Sequence, residues 1–295
     1  MVCYHEKVNK LISQALMPLF DRPPTSHKYD FGHVLVIGGA PGMVGAPLLA
    51  GRAAMRVGAG LVTIASTESV IDKLEKRVEE IMTLRLSENN DEAIRELGSF
   101  ITNRKVNVLA IGPGLPAERG SLVKDLVATS KLPVVIDAGG LAAYDGSLSL
   151  LRKASRYNPD IILTPHPGEF ARLVGKQLPA TGAAIKKLLL DTAQATGTVI
   201  ILKGDSSLVA AKEQVYQNDS GNPGLATAGT GDVLTGMVAG LLAQQFASFD
   251  AACCGVYLHG LAGDLATDAK TEPGLIASDV IEHIPAALRQ VRREL

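Results

Sequence analysis

A three-layer α/β fold, with a mostly parallel central sheet and helices on both faces, is predicted by three observations. Short, near-continuous apolar runs alternate with helical stretches, beginning with His33–Ile37 (HVLVI). Glycine is abundant, 30 of 295 residues, and many of these fall where such a run gives way to a helix. Hydrophobic residues make up 46% of the chain, enough to bury a large core. No internal repeat or linker interrupts the pattern, so residues 1–295 are expected to form one domain, opened by a helical preamble over 1–30.

The elements follow in order. Apolar residues at helical spacing (Val8, Leu11, Ile12, Ala15, Leu16, Leu19) predict a helix over 7–20, stopped by Asp21-Arg22-Pro23-Pro24. After the His33–Ile37 strand come a glycine loop (38–45), a small-residue helix (46–57) and a strand (61–65). Helices are expected over 69–80 and 92–102, with a less regular stretch at 81–87 between them. Strands at 106–111, 134–137, 161–164 and 199–202 alternate with helices at 121–129, 170–174 and 181–196. Residues 207–211 and 215–217 form a hairpin, and helices at 232–244, 250–269 and 278–292 close the chain. In such a fold, ligands bind at the carboxyl ends of the strands.

Composition excludes several functions. With 29 basic and 30 acidic residues, the net charge of -1 provides no electrostatic footprint for nucleic acid or a membrane surface. Aromatics are 4% and tryptophan is absent, which removes stacking platforms for single strands. Cys3, Cys253 and Cys254 lack the spacing of a disulfide framework or a metal site and read as buried thiols. With no signal-peptide pattern and no long uncharged apolar run, a cytoplasmic protein is expected.

The stretch with most chemistry is 221–236, GNPGLATAGTGDVLTG. A loop giving way to a helix places Gly229, Thr230 and Gly231 at a helix N-terminus, where unpaired N–H groups and the dipole favour an anion. Asp232 would repel a phosphate in that cradle. It suits a proton acceptor for an attacking hydroxyl, the alternative being a first-turn cap. The loop 38–46 follows a strand but lacks G-x-G-x-x-G spacing, and no Walker A sequence occurs. It either lines a pocket, with Ala46 making room at the helix start, or is a plain turn. Gly112-Pro113-Gly114 and Asp137 sit at the same sheet edge, the latter either binding a ligand or capping the turn at Gly139-Gly140. In Thr164-Pro165-His166-Pro167-Gly168-Glu169, two prolines stiffen the presentation of His166. Glu169 is either a helix cap or a water-mediated magnesium contact. Lys203-Gly204 would place a cation where phosphates lie. His259, inside an apolar helix, reads as a core histidine.

Taken together, residues 28–62, GPGL, VVIDAGGL, ILTPHPGEFARL, ILKGDSSLV and GNPGLATAGTGDVLTG resemble the NAD(P)H-hydrate dehydratase family, over about residues 25–292. The resemblance implies a ribokinase-like fold and a nicotinamide-nucleotide repair enzyme, a hydro-lyase. Such an enzyme phosphorylates the ring hydroxyl of the S form of hydrated NADH or NADPH from ADP or ATP, then expels phosphate. ADP is the expected donor. By the same resemblance, Ala46, Gly114, His166 and Asp232 would contact the hydrated nucleotide. Lys203, Gly204, Asp205, Ser206, Ser207, Gly229, Thr230 and Gly231 would contact the adenine nucleotide, with Mg²⁺ near Glu169. It further implies an NAD(P)H-hydrate epimerase as functional partner, here not fused, and a homotetramer or larger assembly. Three departures bear on specificity. Pro116 follows Leu115 where GPGLG is common, Gly139 replaces a second acid, and Thr230 stands where many members have Met. The competing readings are a small-molecule kinase of the same fold and a nucleotide-sensing module without turnover.

Overall fold

The computed structural model describes residues 12–295. Its nine strands form one sheet: β1 (His33–Ile37), β2 (Leu61–Thr67), β3 (Met82–Leu86), β4 (Val108–Ile111), β5 (Val134–Ile136), β6 (Ile161–Leu163), β7 (Val199–Leu202), β8 (Leu208–Ala211) and β9 (Gln214–Gln217). Their spatial order is β3-β2-β1-β4-β5-β6-β7-β8-β9, parallel as far as β7, with β8 and β9 joined antiparallel. The helices are α1 (Gly45–Val57), α2 (Glu68–Leu74), α3 (Asn90–Arg104), α4 (Gly120–Thr129), α5 (Ala138–Ala142), α6 (Leu148–Ser155), α7 (Pro167–Val174), α8 (Gly182–Thr196), α9 (Thr230–Ala243), α10 (Ser248–Lys270) and α11 (Ala277–Glu294).

Successive strand residues point to opposite faces, so a wholly apolar strand feeds two cores at once. Val34, Val36, Val62 and Ile64 pack under α1, α9, α10 and α11. Leu35, Ile37, Leu109 and Ile136 pack under α3, α4, α6, α7 and α8. This is the three-layer arrangement expected. The chain runs from β1 outward to β3, then returns to lay β4 against the other side of β1. The carboxyl ends of β1 and β4 therefore diverge into a crevice. Two glycine loops close over it: Gly39 N–H donates to the Pro113 carbonyl at 2.8 Å, and a Cβ at Gly38 would strike the same carbonyl.

Three expectations need correction. Residues 81–87 are not irregular, since Met82–Leu86 is an edge strand. Its apolar residues alternate with Thr83 and Arg85, and Arg85 is held outside by Asp72 and Glu75. The helix expected over 69–80 is short, α2 ending at Leu74 so that the chain can turn into β3. Helices α5 and α6, between β5 and β6, had no counterpart in the expected elements. Of the helix expected over 7–20, residues 12–16 are helical and Met17–Phe20 continue as a 3₁₀ turn; 7–11 lie outside the described residues, as does Cys3. Cys253 and Cys254 are buried and free, and burial pushes the Cys254 thiol up to about 12, so both are inert core thiols. No helix among the described residues is long and apolar enough to cross a membrane.

Helices α1 and α9 meet through Gly236 and Gly240, where a Cβ would run into the Ala50 carbonyl and the Val57 side chain. Gly236→Ala is therefore expected to destabilise the protein. The ~1 kcal/mol gained in helix propensity loses to a clash with backbone, which cannot swing away. Gly98→Ala, at an exposed α3 position with open space, should instead stabilise by about 1 kcal/mol. Thermal unfolding of both variants checks the pair, and a stabilised Gly236→Ala would contradict the close packing.

Candidate active site

The residues that follow β5, β6 and β7 meet near the N-terminus of α9. After β5 comes Asp137, 1% exposed, whose Oδ1 accepts from Lys203 Nζ at 2.8 Å and whose Oδ2 accepts from the Thr235 hydroxyl at 2.7 Å. It caps nothing with its side chain. Ala138 beside it is held at φ 44°, a left-handed conformation uncommon for a residue with a Cβ. After β6, Pro167 takes the first turn of α7 and His166 becomes its N-cap. Its Nδ1 accepts from the Gly168 and Glu169 N–H groups at 3.0 and 3.4 Å. Glu169 returns the bond, its Oε2 accepting from the His166 N–H at 2.8 Å. The capping role foreseen as one alternative for Glu169 is thus real, and it leaves Oε1 without a hydrogen bond.

After β7, Lys203 proves not to be a free cation. Its ammonium lies 2.8 Å from Asp137 Oδ1 and 4.0 Å from Glu169 Oε2, and an ideal Cβ on Gly231 would come 3.2 Å from Nζ. The charge is pinned between two carboxylates at the glycine turn. That turn opens α9 on Gly229, φ 92°, with no side-chain cap. Asp232 follows in the first turn. No described residue hydrogen-bonds or ion-pairs with its carboxylate, so it is not a cap. Burial first, and the negative charge of Asp137 second, push its pKa up to about 7, against the pull of Lys203.

A cavity of about 570 Å³ opens beside this cluster, lined by His166, Lys203, Gly204, Asp205, Ser207, Thr230 and Gly231 of the residues singled out from sequence. Apolar Leu225, Leu234 and Val256 line it too. Ser206 is turned to the Asn218 carbonyl at 2.7 Å, and Gly229 packs against Leu49, so neither lines the cavity. Ala46 and Gly114 are brought together elsewhere, the Ala46 Cβ lying 3.2 Å from where a Gly114 Cβ would be. A second cavity, of about 260 Å³ and bordered by Ser66, Glu88 and Arg119, is lined by Gly38, Gly39, Ala40 and Pro41, so the loop 38–46 does line a pocket, without Ala46.

A family profile described as NAD(P)H-hydrate dehydratase matches residues 34–286. The chain belongs to the NAD(P)H-hydrate dehydratase family. It is 40% identical over 284 residues to the bifunctional NAD(P)H-hydrate repair enzyme Nnr of Moorella thermoacetica, a match covering 93% of this chain and 52% of that protein. The chain thus spans about half the length of the bifunctional relatives. It is 34% identical to the ADP-dependent (S)-NAD(P)H-hydrate dehydratase of Bacillus subtilis, covering 90% of this chain and 92% of the relative. The crystal structure of the ADP/ATP-dependent dehydratase from B. subtilis, co-crystallised with ATP/Mg²⁺, superposes with TM-score 0.79 at 32% identity, covering 96% and 97% of the two chains. The fold is ribokinase-like; a hydroxyethylthiazole kinase from Pyrococcus horikoshii shares it at TM-score 0.64 and 16% identity, which speaks to fold alone.

The Mg²⁺ in the B. subtilis co-crystal raises the question of which side chains here could meet a divalent cation. Among the described residues no three His, Cys, Asp or Glu side chains converge on one point. Both Asp137 oxygens are taken, and Glu169, the residue considered for a metal from sequence, keeps Oε1 without a hydrogen bond, 3.7 Å from His166 Nε2. One carboxylate oxygen suits Mg²⁺ held mainly by phosphate and water, and does not suit an all-protein cage. Two residues of this site were missed from the sequence. Thr235 braces Asp137, and His259 lines the cavity and bonds to the glycine turn. Each is a polar side chain between apolar or small neighbours, Leu234 and Gly236 for Thr235 and Leu258 and Gly260 for His259, and that is the local signal each one gives.

Proposed function

We propose that this protein dehydrates the S form of hydrated NADH or NADPH, using ADP or ATP as phosphoryl donor. The observation that supports this most is Asp232. A half-buried carboxylate without a hydrogen-bond partner, held near neutrality at a helix N-terminus, suits a proton acceptor. In this reading the adenine nucleotide occupies the 570 Å³ cavity, with its base against Leu225, Leu234 and Val256. Its phosphates meet Lys203, the loop from Gly204 to Ser207 and the amides of Gly229, Thr230 and Gly231.

The hydrated ring is placed among Ala46, Gly114, His166 and Asp232. Asp232 removes the proton from the ring hydroxyl as its oxygen attacks the terminal phosphorus, and the bond from that phosphorus to the rest of the nucleotide breaks. The ring then loses inorganic phosphate by C–O cleavage and a neighbouring proton, restoring the reduced nicotinamide. Lys203 offsets charge building on the phosphoryl oxygens. His166 has its Nδ1 occupied by helix N–H groups, so its proton sits on Nε2 and it acts as a donor. Mg²⁺, reached from Glu169 through water, would supply further charge neutralisation at the phosphates.

The ADP-dependent naming of the B. subtilis relative supports ADP as donor, and its ATP/Mg²⁺ co-crystal supports the metal. An epimerase interconverting the two hydrate forms, a cytoplasmic location and a homo-oligomer of four or more subunits belong to the same proposal, as does a single domain over 1–295. The test is incubation of the protein with hydrated NADH, magnesium and either ADP or ATP. Recovery of the reduced-nicotinamide absorbance with one nucleotide only supports the reading and names the donor. A stable phosphorylated product without that recovery would make the protein a kinase.

A further inference from the structure

Helix α9 begins without the side-chain cap that ordinarily fixes a helix start, yet its first turn is the part of the site that must hold its shape. Instead, Thr230 is tethered from two directions. The Thr230 hydroxyl donates to the Leu225 and Thr227 carbonyls at 2.8 and 2.9 Å, tying the turn to the loop before it. From the opposite side, His259 on α10 bonds through Nε2 to the Thr230 carbonyl at 3.0 Å. We propose that His259 is a positioning residue of the nucleotide site, anchoring the glycine turn through Thr230 and so setting where the Gly231 and Asp232 groups stand relative to Lys203. This rests on the nucleotide reading of the cavity.

The protonation state agrees with the role. A carbonyl only accepts, so Nε2 must carry the proton. Burial, with Lys203 nearby, keeps the ring from gaining a second one until about pH 4, the Thr230 bond opposing that trend only in part. His259 is thus a neutral imidazole in one tautomer, a fixed donor across the working range. The place matters because the distances are short. A Gly231 Cβ would already stand 3.2 Å from the Lys203 ammonium, so any drift of the turn changes the spacing between that cation, the turn amides and Asp232. Misplacement of reacting groups by about 1 Å can cost about 10²-fold in rate.

A histidine that merely filled the core would betray itself in stability alone. The experiment therefore compares His259→Leu, which cannot donate, with His259→Gln, whose amide can, in the full chain. ADP affinity is read by calorimetry and turnover with hydrated NADH. The tether predicts that Leu weakens ADP binding about tenfold or more and lowers kcat, that Gln restores affinity to within about threefold, and that both unfold near the wild-type temperature without nucleotide. Thr230→Val, which removes the opposite anchor, should share the Leu phenotype and serves if His259→Leu fails to fold. Wild-type affinity in the Leu variant, or equal loss in Leu and Gln, overturns the tether. ADP affinity decides it even where hydrated NADH is not turned over, an outcome that would sink the dehydratase reading by itself.

Discussion

Replacing Asp232 by Asn is expected to cut turnover of hydrated NADH by at least about 10²-fold while leaving ADP affinity near wild type. The two effects separate because the carboxylate meets no phosphate-binding group directly, whereas the proposed proton transfer needs its lone pair. The same change should raise stability above neutral pH. Asp232 is pushed up to about 7 from an ordinary 3.8, so folding penalises its ionised form. Below pH 4 the group is protonated in both states and contributes nothing. Through the window from 4 to 7 the penalty grows, and above 7 it is complete, at most about 4 kcal/mol by linkage and less where water reaches the group. Melting curves of the Asn variant should thus match wild type at pH 4 and lie above it at pH 8. Near wild-type turnover would remove Asp232 as the base, and no gain in stability at pH 8 would contradict a half-buried carboxylate left without a partner.

Lys203→Ala should weaken ADP binding about tenfold or more, and it should also do two things that a simple phosphate ligand would not. Among the described residues Lys203 is the group that pulls the Asp232 pKa down, so its loss moves the acid limb of the rate profile to higher pH. It also strips the buried Asp137 of its cation, and breaking a buried pair costs roughly 3–5 kcal/mol. Adding Asp137→Asn to Lys203→Ala should recover much of that stability and none of the nucleotide affinity. Calorimetry and thermal unfolding of the single and double variants check the pair. Unchanged ADP affinity in Lys203→Ala would end its role as a phosphate contact, and failure of the double variant to regain stability would mean the ion pair is not what the single change broke.

Reading these residues from sequence alone met different limits at different places. Strands such as His33–Ile37 and Val199–Leu202 were legible because a strand buried on both faces must be apolar throughout. Edge strand β3 was not, since its half-exposed alternation of Met82, Leu84 and Leu86 with Thr83 and Arg85 is short and lies between two helical stretches. His166 and Glu169 were legible as a loop between prolines and a helix start, and both alternatives offered for Glu169 remain compatible with its geometry, Oε2 capping and Oε1 3.7 Å from His166 Nε2 without a hydrogen bond.

What the sequence determined by itself was local: which stretches are strand or helix, that glycine turns follow the strands, and that Asp232 stands at a helix N-terminus with Lys203, His166 and Asp137 at strand ends. Family membership was legible in the same way, because its motifs are contiguous. What only the tertiary structure decided was who meets whom. Lys203 is pinned between Asp137 and Glu169, Thr235 braces Asp137 across 98 positions, and His259 reaches Thr230 across 29. Ala46 and Gly114 lie side by side, outside the cavity at the start of α9. The physical reason is that propensity and periodicity act over a turn or two of chain. The charge state of a buried carboxyl is set instead by groups that the sheet order and helix packing bring near, at separations that local patterning does not register.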